Sequence, residues 1–257
     1  MKRLAILRRN LVWVVAYTLV LVGAWEFVVR YLGIADYLLP APSAIYGAVR
    51  GNVASLSRHT LVTLWEILLG FGLGTGLGVL LAILIGAVPP LRITLLPTLV
   101  GLQSVPKVAF APLMVVWLGL GLGPKVAMAA LFSFFPVLVN TYAGLTKIEP
   151  ALVELVRVMK ATEWQGFVKI RLPHALPSLF DGMKIAMPLA VVGAIVGEFT
   201  SAERGLGNLI LLTSTQLNIP LMFGAIFAVT VVAVALFGAL RLLESLAVPW
   251  AAESREG

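Results

Sequence analysis

Side chains able to hold charge, metal or a nucleophilic role are sparse in this chain. Among 257 residues there are 12 Asp and Glu, 19 Lys and Arg, two histidines and no cysteine. Without cysteine, disulfides and thiolate metal sites are excluded. His59 and His174 lie far apart in sequence and are expected at opposite ends of the fold, His59 in an interfacial helix ahead of the second span and His174 at the end of a loop. No Ser/His, paired-Asp or zinc arrangement of the kind an intramembrane protease needs is visible. The nearest approach to a phosphate-binding loop is Gly119 to Val126. It has Pro124 where a glycine is needed and Val126 where a hydroxyl is needed. The chain is therefore read as a non-enzyme with neither a cofactor nor a metal of its own.

The remaining charges of interest stand inside or beside apolar runs, where a charge is costly and usually functional. They are Glu26, Glu66, Lys107, Asp181, Lys184 and Glu198. Asp181 and Lys184 are three apart, so on a helix they can pair on one face. Glu26 and Glu66 are read as interfacial. Glu198 is read as an outer-face residue in contact with Arg204, or as part of a surface that receives solute. Lys107 and Lys184, with Glu198, are the polar candidates for a solute pathway.

Such charges need a scaffold, and composition says which. Apolar residues make up 60% of the chain and charged residues 12%, with a mean hydropathy of +1.01. A water-soluble protein of this size could not cover its surface with so few charges, which selects the membrane class. The formal charge of +7 then reports membrane topology, not nucleic-acid binding. A spanning helix takes roughly 20 apolar residues. The runs predict an all-α, polytopic protein with six transmembrane helices near 11–31, 61–87, 94–118, 125–145, 178–199 and 221–243, forming a single domain over 1–257. The basic residues before the first run suggest a signal peptide, but no small-x-small cleavage site follows, so the run is read as an uncleaved span. With both termini cytoplasmic, twelve Lys and Arg fall inside and five outside, as the positive-inside tendency requires.

Two spans carry marks of close packing or interruption. Gly70, Gly74 and Gly78 recur on one face of the second, the pattern that lets backbones approach in lipid. The third is broken by Pro97, Pro106 and Pro112, with Lys107 beside the second of these. Carbonyls freed by proline need protein or water partners, so Pro106, Lys107 and Pro112 are candidates for a cavity or gate.

The longest cytoplasmic loop, 147–177, is also the most charged stretch. Pro150 suits a first helical turn, and Leu152, Leu155, Val156 and Met159 recur at helical spacing. Thr162 can cap a second short helix containing Trp164 and Phe167, with Ile170 and Leu172 as further apolar contacts. Pro173 and Pro177 are expected to end it. Two short helices with exposed aromatics form a docking element.

At this point the segment resembles the EAA loop of binding-protein-dependent importer permeases. Glu154, Ile170, Leu172 and Pro173 stand at that motif's offsets, while Leu155-Val156 replaces Ala-Ala and Lys160 replaces Gly. The resemblance extends over about 37–250. It takes in Leu39-Pro40-Ala41-Pro42-Ser43, Val105 to Ala109, Ala111-Pro112-Leu113, Trp117 to Gly121, Phe135-Pro136, Gly197-Glu198-Phe199, Arg204 to Gly207 and Pro249-Trp250. These are similar to permeases of the nitrate/sulfonate/taurine type, which also include vitamin-precursor importers.

The resemblance implies a type I ABC importer permease fold in a bacterial inner membrane. It implies a permease homodimer, a pair of identical ATPase subunits that bind the ATP, and an extracytoplasmic solute-binding protein. Glu154, Lys160, Ala161, Thr162, Trp164, Phe167, Ile170, Leu172 and Pro173 would then couple to the ATPase. The rival expectation is an ion-coupled secondary transporter, which needs midplane ion ligands and inverted repeats.

Overall fold

The computed structural model describes residues 2–147, 158–159, 162–201 and 203–250, and every regular element among them is helical. In chain order these are α1 (Lys2–Tyr31), α2 (Pro42–Gly51), α3 (Val53–Ala87), α4 (Pro89–Leu102), α5 (Phe110–Leu118), α6 (Leu122–Thr146), α7 (Glu163–Gly166), α8 (Leu172–Ser201), α9 (Leu206–Thr215) and α10 (Ile219–Ala247). Among the described residues, five runs are long and apolar enough to cross a membrane: α1, α3, α6, α7 continued into α8, and α10.

The sixth expected span, 94–118, exists in two pieces. Helix α4 ends at Leu102, and a 3₁₀ turn at Lys107–Ala109 leads into the nine-residue α5. Pro106 sits at the break, where its ring cannot continue a helix. Pro112 stands in the first turn of α5, where the missing N–H had no helical partner to lose. Gly119 and Gly121 adopt φ of +76° and +116°, a conformation that suits glycine, and this turns the chain from α5 into α6.

Helix α6 is the centre of the bundle and packs most extensively on α8 and α3. Glycine sets both contacts. A Cβ at Gly70 would lie 2.3 Å from Ala129 Cβ, and one at Gly74 would lie 2.6 Å from the Ala130 carbonyl oxygen. On the other side, a Cβ at Gly193 would lie 2.7 Å from the Met128 carbonyl oxygen, and one at Gly197 2.7 Å from Lys125 Cα. In lipid no hydrophobic force drives helices together, so close backbone contact supplies the attraction. The expected seam along Gly70, Gly74 and Gly78 is thus an internal α3–α6 joint.

The core is divided along the bundle. Ile67, Ala129, Ala190 and Val191 are buried in its middle. Ala82, Ile85, Leu145 and Ala175 are buried at one end, and Leu56, Leu206, Leu209 and Leu221 at the other. Helix α1 is peripheral. Its last turns are fastened by Glu26, which accepts from the Ser43 N–H (3.0 Å) and Ser43 Oγ (2.7 Å) at the start of α2 and pairs with Arg30. Glu26 is therefore a partly exposed end residue, as expected. His59, in contrast, belongs to α3 itself and not to a separate interfacial helix, because α3 begins at Val53, ahead of the expected 61.

Candidate docking element and buried ion-pair site

The described part of the 147–177 segment is a built helix start. The Gln165 N–H donates to Thr162 Oγ1 (3.2 Å), and the Thr162 N–H donates to Gln165 Oε1 (3.0 Å). Thr162 is the expected cap. The reciprocal Gln165 bond is legible in the Thr-x-x-Gln spacing but was not expected. Replacing Thr162 with alanine is predicted to cost about 1 kcal/mol of local helix stability. Faster amide exchange over 163–166, with the bundle core unchanged, is the result that checks it.

Two expectations for this segment need correction. Phe167 is not exposed: it packs against the cluster of Ala82, Ile85, Leu145 and Ala175. Only Trp164 is presented, 72% exposed and stacked on Phe167 with ring centroids 6.1 Å apart. Pro173 and Pro177 also do not end the helix. Residues Phe167–Arg171 form a π-helical turn and the chain continues directly into α8. The wider turn takes in Lys169, whose carbonyl is the one the Pro173 ring would meet, and relieves that clash. Ile170, Leu172 and Pro173 are half-buried along this entry. His174 Nε2 lies 2.9 Å from the Lys147 carbonyl oxygen, tying the two ends of the loop together. Val158 and Met159 are exposed. Glu154, Lys160 and Ala161 lie outside the described residues.

Of the pathway candidates, Lys107 is half-buried with its ammonium 5.1 Å from the ring centroid of Phe135 and 5.8 Å from that of Phe132, a cation held over aromatic faces. Pro106 and Pro112 are exposed beside it. Lys184 pairs with Asp181 (2.9 Å), as its spacing predicts, and also with Glu244 of α10 (2.8 Å). The second partner lies sixty residues on and could not be read from local spacing.

Glu198 belongs to a constellation at the opposite end of the bundle from Trp164. It is 1% exposed. It accepts from Thr63 Oγ1 (2.6 Å) and from the Gly207 N–H. Thr63 Oγ1 in turn accepts from the Leu206 N–H (2.8 Å), and His59 Nδ1 is 3.0 Å from the Gly205 nitrogen. A Cβ at Gly205, whose φ is +125°, would fall 2.3 Å from the Glu198 carboxyl. The Arg-Gly-Leu-Gly run is thus a backbone cradle for one carboxyl group, which explains the two glycines.

Beside it, the Glu66 carboxyl lies against that of Glu198. Glu66 Oε1 accepts from Lys125 Nζ at 2.7 Å, and Lys125 also reaches the Arg204 carbonyl oxygen at 3.4 Å. Both side chains are buried, at 1% and 6% exposure. This overturns two expectations. Glu66 is not interfacial, and Glu198 meets the glycine cradle and not the Arg204 side chain. The reason is common to both: α3, α6 and α8 converge so closely here that the charges at their ends are satisfied within the bundle. A cleft of about 700 Å³ opens onto the cluster, with Glu66, Lys125 and Glu198 on its floor.

Five apolar spanning runs among the described residues, and an interrupted sixth, define a polytopic membrane protein. Over residues 74–247 the chain matches the family described as the binding-protein-dependent transport system inner membrane component, and it belongs to that family, the permease subunits of ABC importers. Such a subunit is a transport component and not itself an enzyme. The chain is 37% identical to the formylaminopyrimidine transport permease protein ThiX of Halalkalibacterium halodurans, covering 91% of this chain and 94% of the relative. It is 35% identical to the riboflavin transport system permease protein RibX of Chloroflexus aurantiacus, covering 89% and 86%. It is 27% identical to the taurine transport system permease protein TauC of Escherichia coli, covering 91% and 88%. Family membership selects the importer over the ion-coupled transporter.

Proposed function

We propose that this chain forms one half of the solute pathway of an inner-membrane ABC importer, as a homodimer driven by a pair of separate ATPase subunits. The observation that carries the reading is Trp164, held out from the bundle by its stack on the half-buried Phe167 and by the Thr162–Gln165 capping pair. A rigid aromatic anchor is the kind of residue that dominates interface energetics. In this reading segment 158–173 faces the cytoplasm and seats in the ATPase, both termini are cytoplasmic, and the Glu66–Lys125–Glu198 end faces outward to an extracytoplasmic solute-binding protein. ATP closure then rocks α4 to α8 of the two copies between inward and outward openings. The higher identity to the pyrimidine and riboflavin permeases than to the taurine permease supports a vitamin-precursor solute over a sulfonate or nitrate.

The test is co-purification in lipid of the ATPase of the same transport system with this chain. Trp164→Ala is expected to weaken the association by roughly 30-fold, the effect of losing an interface anchor. An ATPase that does not associate with the unaltered chain, or that associates equally with Trp164→Ala, overturns the reading.

A further inference from the structure

We infer that Glu66 and Glu198, at the end of the bundle opposite Trp164, form a proton-binding site: their carboxyls share one proton, which fastens α3 to α8 and is given up when the two helices part. The site stands on the geometry of the single chain. Its use in transport rests on the importer reading and goes beyond it.

The first support is a count of donors. Lys125 Nζ supplies Glu66 Oε1 (2.7 Å), Thr63 Oγ1 supplies Glu198 Oε1 (2.6 Å), and the Gly207 N–H supplies Glu198 Oε2. Thr63 has no second proton to give, and its oxygen also accepts from the Leu206 N–H (2.8 Å). Glu66 Oε2 is buried and receives no N–H or hydroxyl among the described residues. The Glu66 and Glu198 carboxyls are nonetheless in hydrogen-bond contact. Ionised carboxylates are acceptors only, so such a contact needs one O–H between them. The same proton satisfies a buried oxygen that is otherwise costly to leave alone.

The second support is charge. Glu66 and Glu198 are each 1% exposed, and two carboxylates held in contact cannot both stay ionised. The ammonium paired with them is Lys125, itself buried. With one shared proton the cluster is neutral, and without it a net negative charge is buried. The other titratable side chains around the pair do not supply the missing donor. His59 is turned to the Gly205 backbone (3.0 Å), Arg204 meets the cluster through its carbonyl oxygen, and Glu203 lines the cleft above.

Linkage gives the proton a role. In the importer reading, opening of this end draws α3 from α8 and wets both carboxyls, and each then ionises. Opening therefore releases a proton, and alkaline surroundings favour it.

The first experiment is infrared spectroscopy of the full chain at about pH 7, where ordinary carboxyls are ionised, in a maltoside detergent that has no carbonyl of its own. A protonated-carboxyl C=O band is expected, absent from Glu66→Gln and from Glu198→Gln. No band in the unaltered chain overturns the site, and that readout needs no variant to fold. A band kept in full by a monodisperse Glu66→Gln overturns it too. Equilibrium unfolding is the second readout, from about pH 7 to about pH 9, below the ordinary range of lysine. The folding equilibrium of the unaltered chain is expected to fall by up to about tenfold per pH unit more than that of Glu66→Gln, because the folded chain holds one proton more than the unfolded one. His59 and Glu203 are common to both proteins and cancel, so equal pH dependence overturns the site. The link to opening is read on the chain assembled with its ATPase. A non-hydrolysable ATP analogue is expected to release about one proton more per permease copy from the unaltered assembly than from Glu66→Gln, and equal release overturns the link. An ATPase that does not associate removes the importer reading and leaves the site standing, whereas a missing band removes the site and leaves the importer reading.

Discussion

Gly74→Leu is expected to abolish the folded, monodisperse permease, whereas Gly72→Leu, two residues away on the same helix, is expected to leave it intact. A Cβ alone at 74 would stand 2.2 Å from Ser133 Oγ and 2.6 Å from the Ala130 carbonyl oxygen. A serine hydroxyl can rotate, but Ser133 Oγ already donates to the Ala129 carbonyl (2.9 Å), and the Ala130 carbonyl is backbone inside α6. Relief therefore requires α3 and α6 to separate, which undoes their contact along the whole joint. Overpacking of a close-packed core costs about 1–3 kcal/mol where side chains can adjust, and here the obstacle is a helix backbone. At Gly72 nothing lies within 4 Å of the added Cβ and the residue is exposed toward lipid, so leucine adds helix propensity of up to about 1 kcal/mol without a clash. Size-exclusion profiles and thermal midpoints in detergent for the pair provide the check. Indistinguishable profiles would remove the glycine joint as the determinant of packing.

Lys125→Met is expected to destabilise the chain by about 3–5 kcal/mol, the cost of breaking a buried pair by removing one partner. The loss is severe here because the ammonium is the ion-pair partner of a buried carboxyl that itself lies against a second one. Glu66 keeps an orphaned oxygen, the Glu198 carboxyl lies against it, and no other cation among the described residues reaches either carboxyl. Glu66→Gln alone is expected to be much milder, since the amide oxygen still accepts from Lys125 while one negative charge is gone. Combining Lys125→Met with Glu66→Gln should recover a large part of the loss. The two positions are in contact, so their effects should not add. Equilibrium unfolding in mixed micelles measures all three variants. A Lys125→Met cost below about 1 kcal/mol, or a double variant no more stable than the single, would mean that the cluster is not held by this ion pair.

Much of this architecture was legible because apolar runs announce themselves by length. The places of α1, α3, α6 and α10 follow from charge-free stretches long enough to cross a bilayer, and their observed ends differ from the expected ones by a few residues, apart from the starts of α1, α3 and α8, which come earlier. Pro97, Pro106 and Pro112 marked the third span as broken, and it is divided at Pro106. The spacing of Asp181 and Lys184 predicted their ion pair, and Thr162 was visible as a cap. All of these are local signals, carried by residues within a turn or two of one another.

What local signals could not carry is the pairing of residues far apart in the chain. Glu66, Lys125 and Glu198 each read singly as a charge near a membrane face, because sequence spacing says how far a residue stands from the end of its own helix and nothing about which helices meet there. Once glycine draws α3 and α8 onto α6, the three side chains are buried together and must be satisfied within the bundle. The same holds for Glu244 at Lys184 and for Phe167, whose aromatic character suggested docking until the fold packed it, half-buried, against the core beneath Trp164. Sequence by itself determined that this chain spans a membrane and belongs with importer permeases, since those depend on composition and short ordered motifs. Tertiary structure alone decided which charges are buried and which aromatic stays exposed, because burial is a property of helix convergence and no helix carries that information alone.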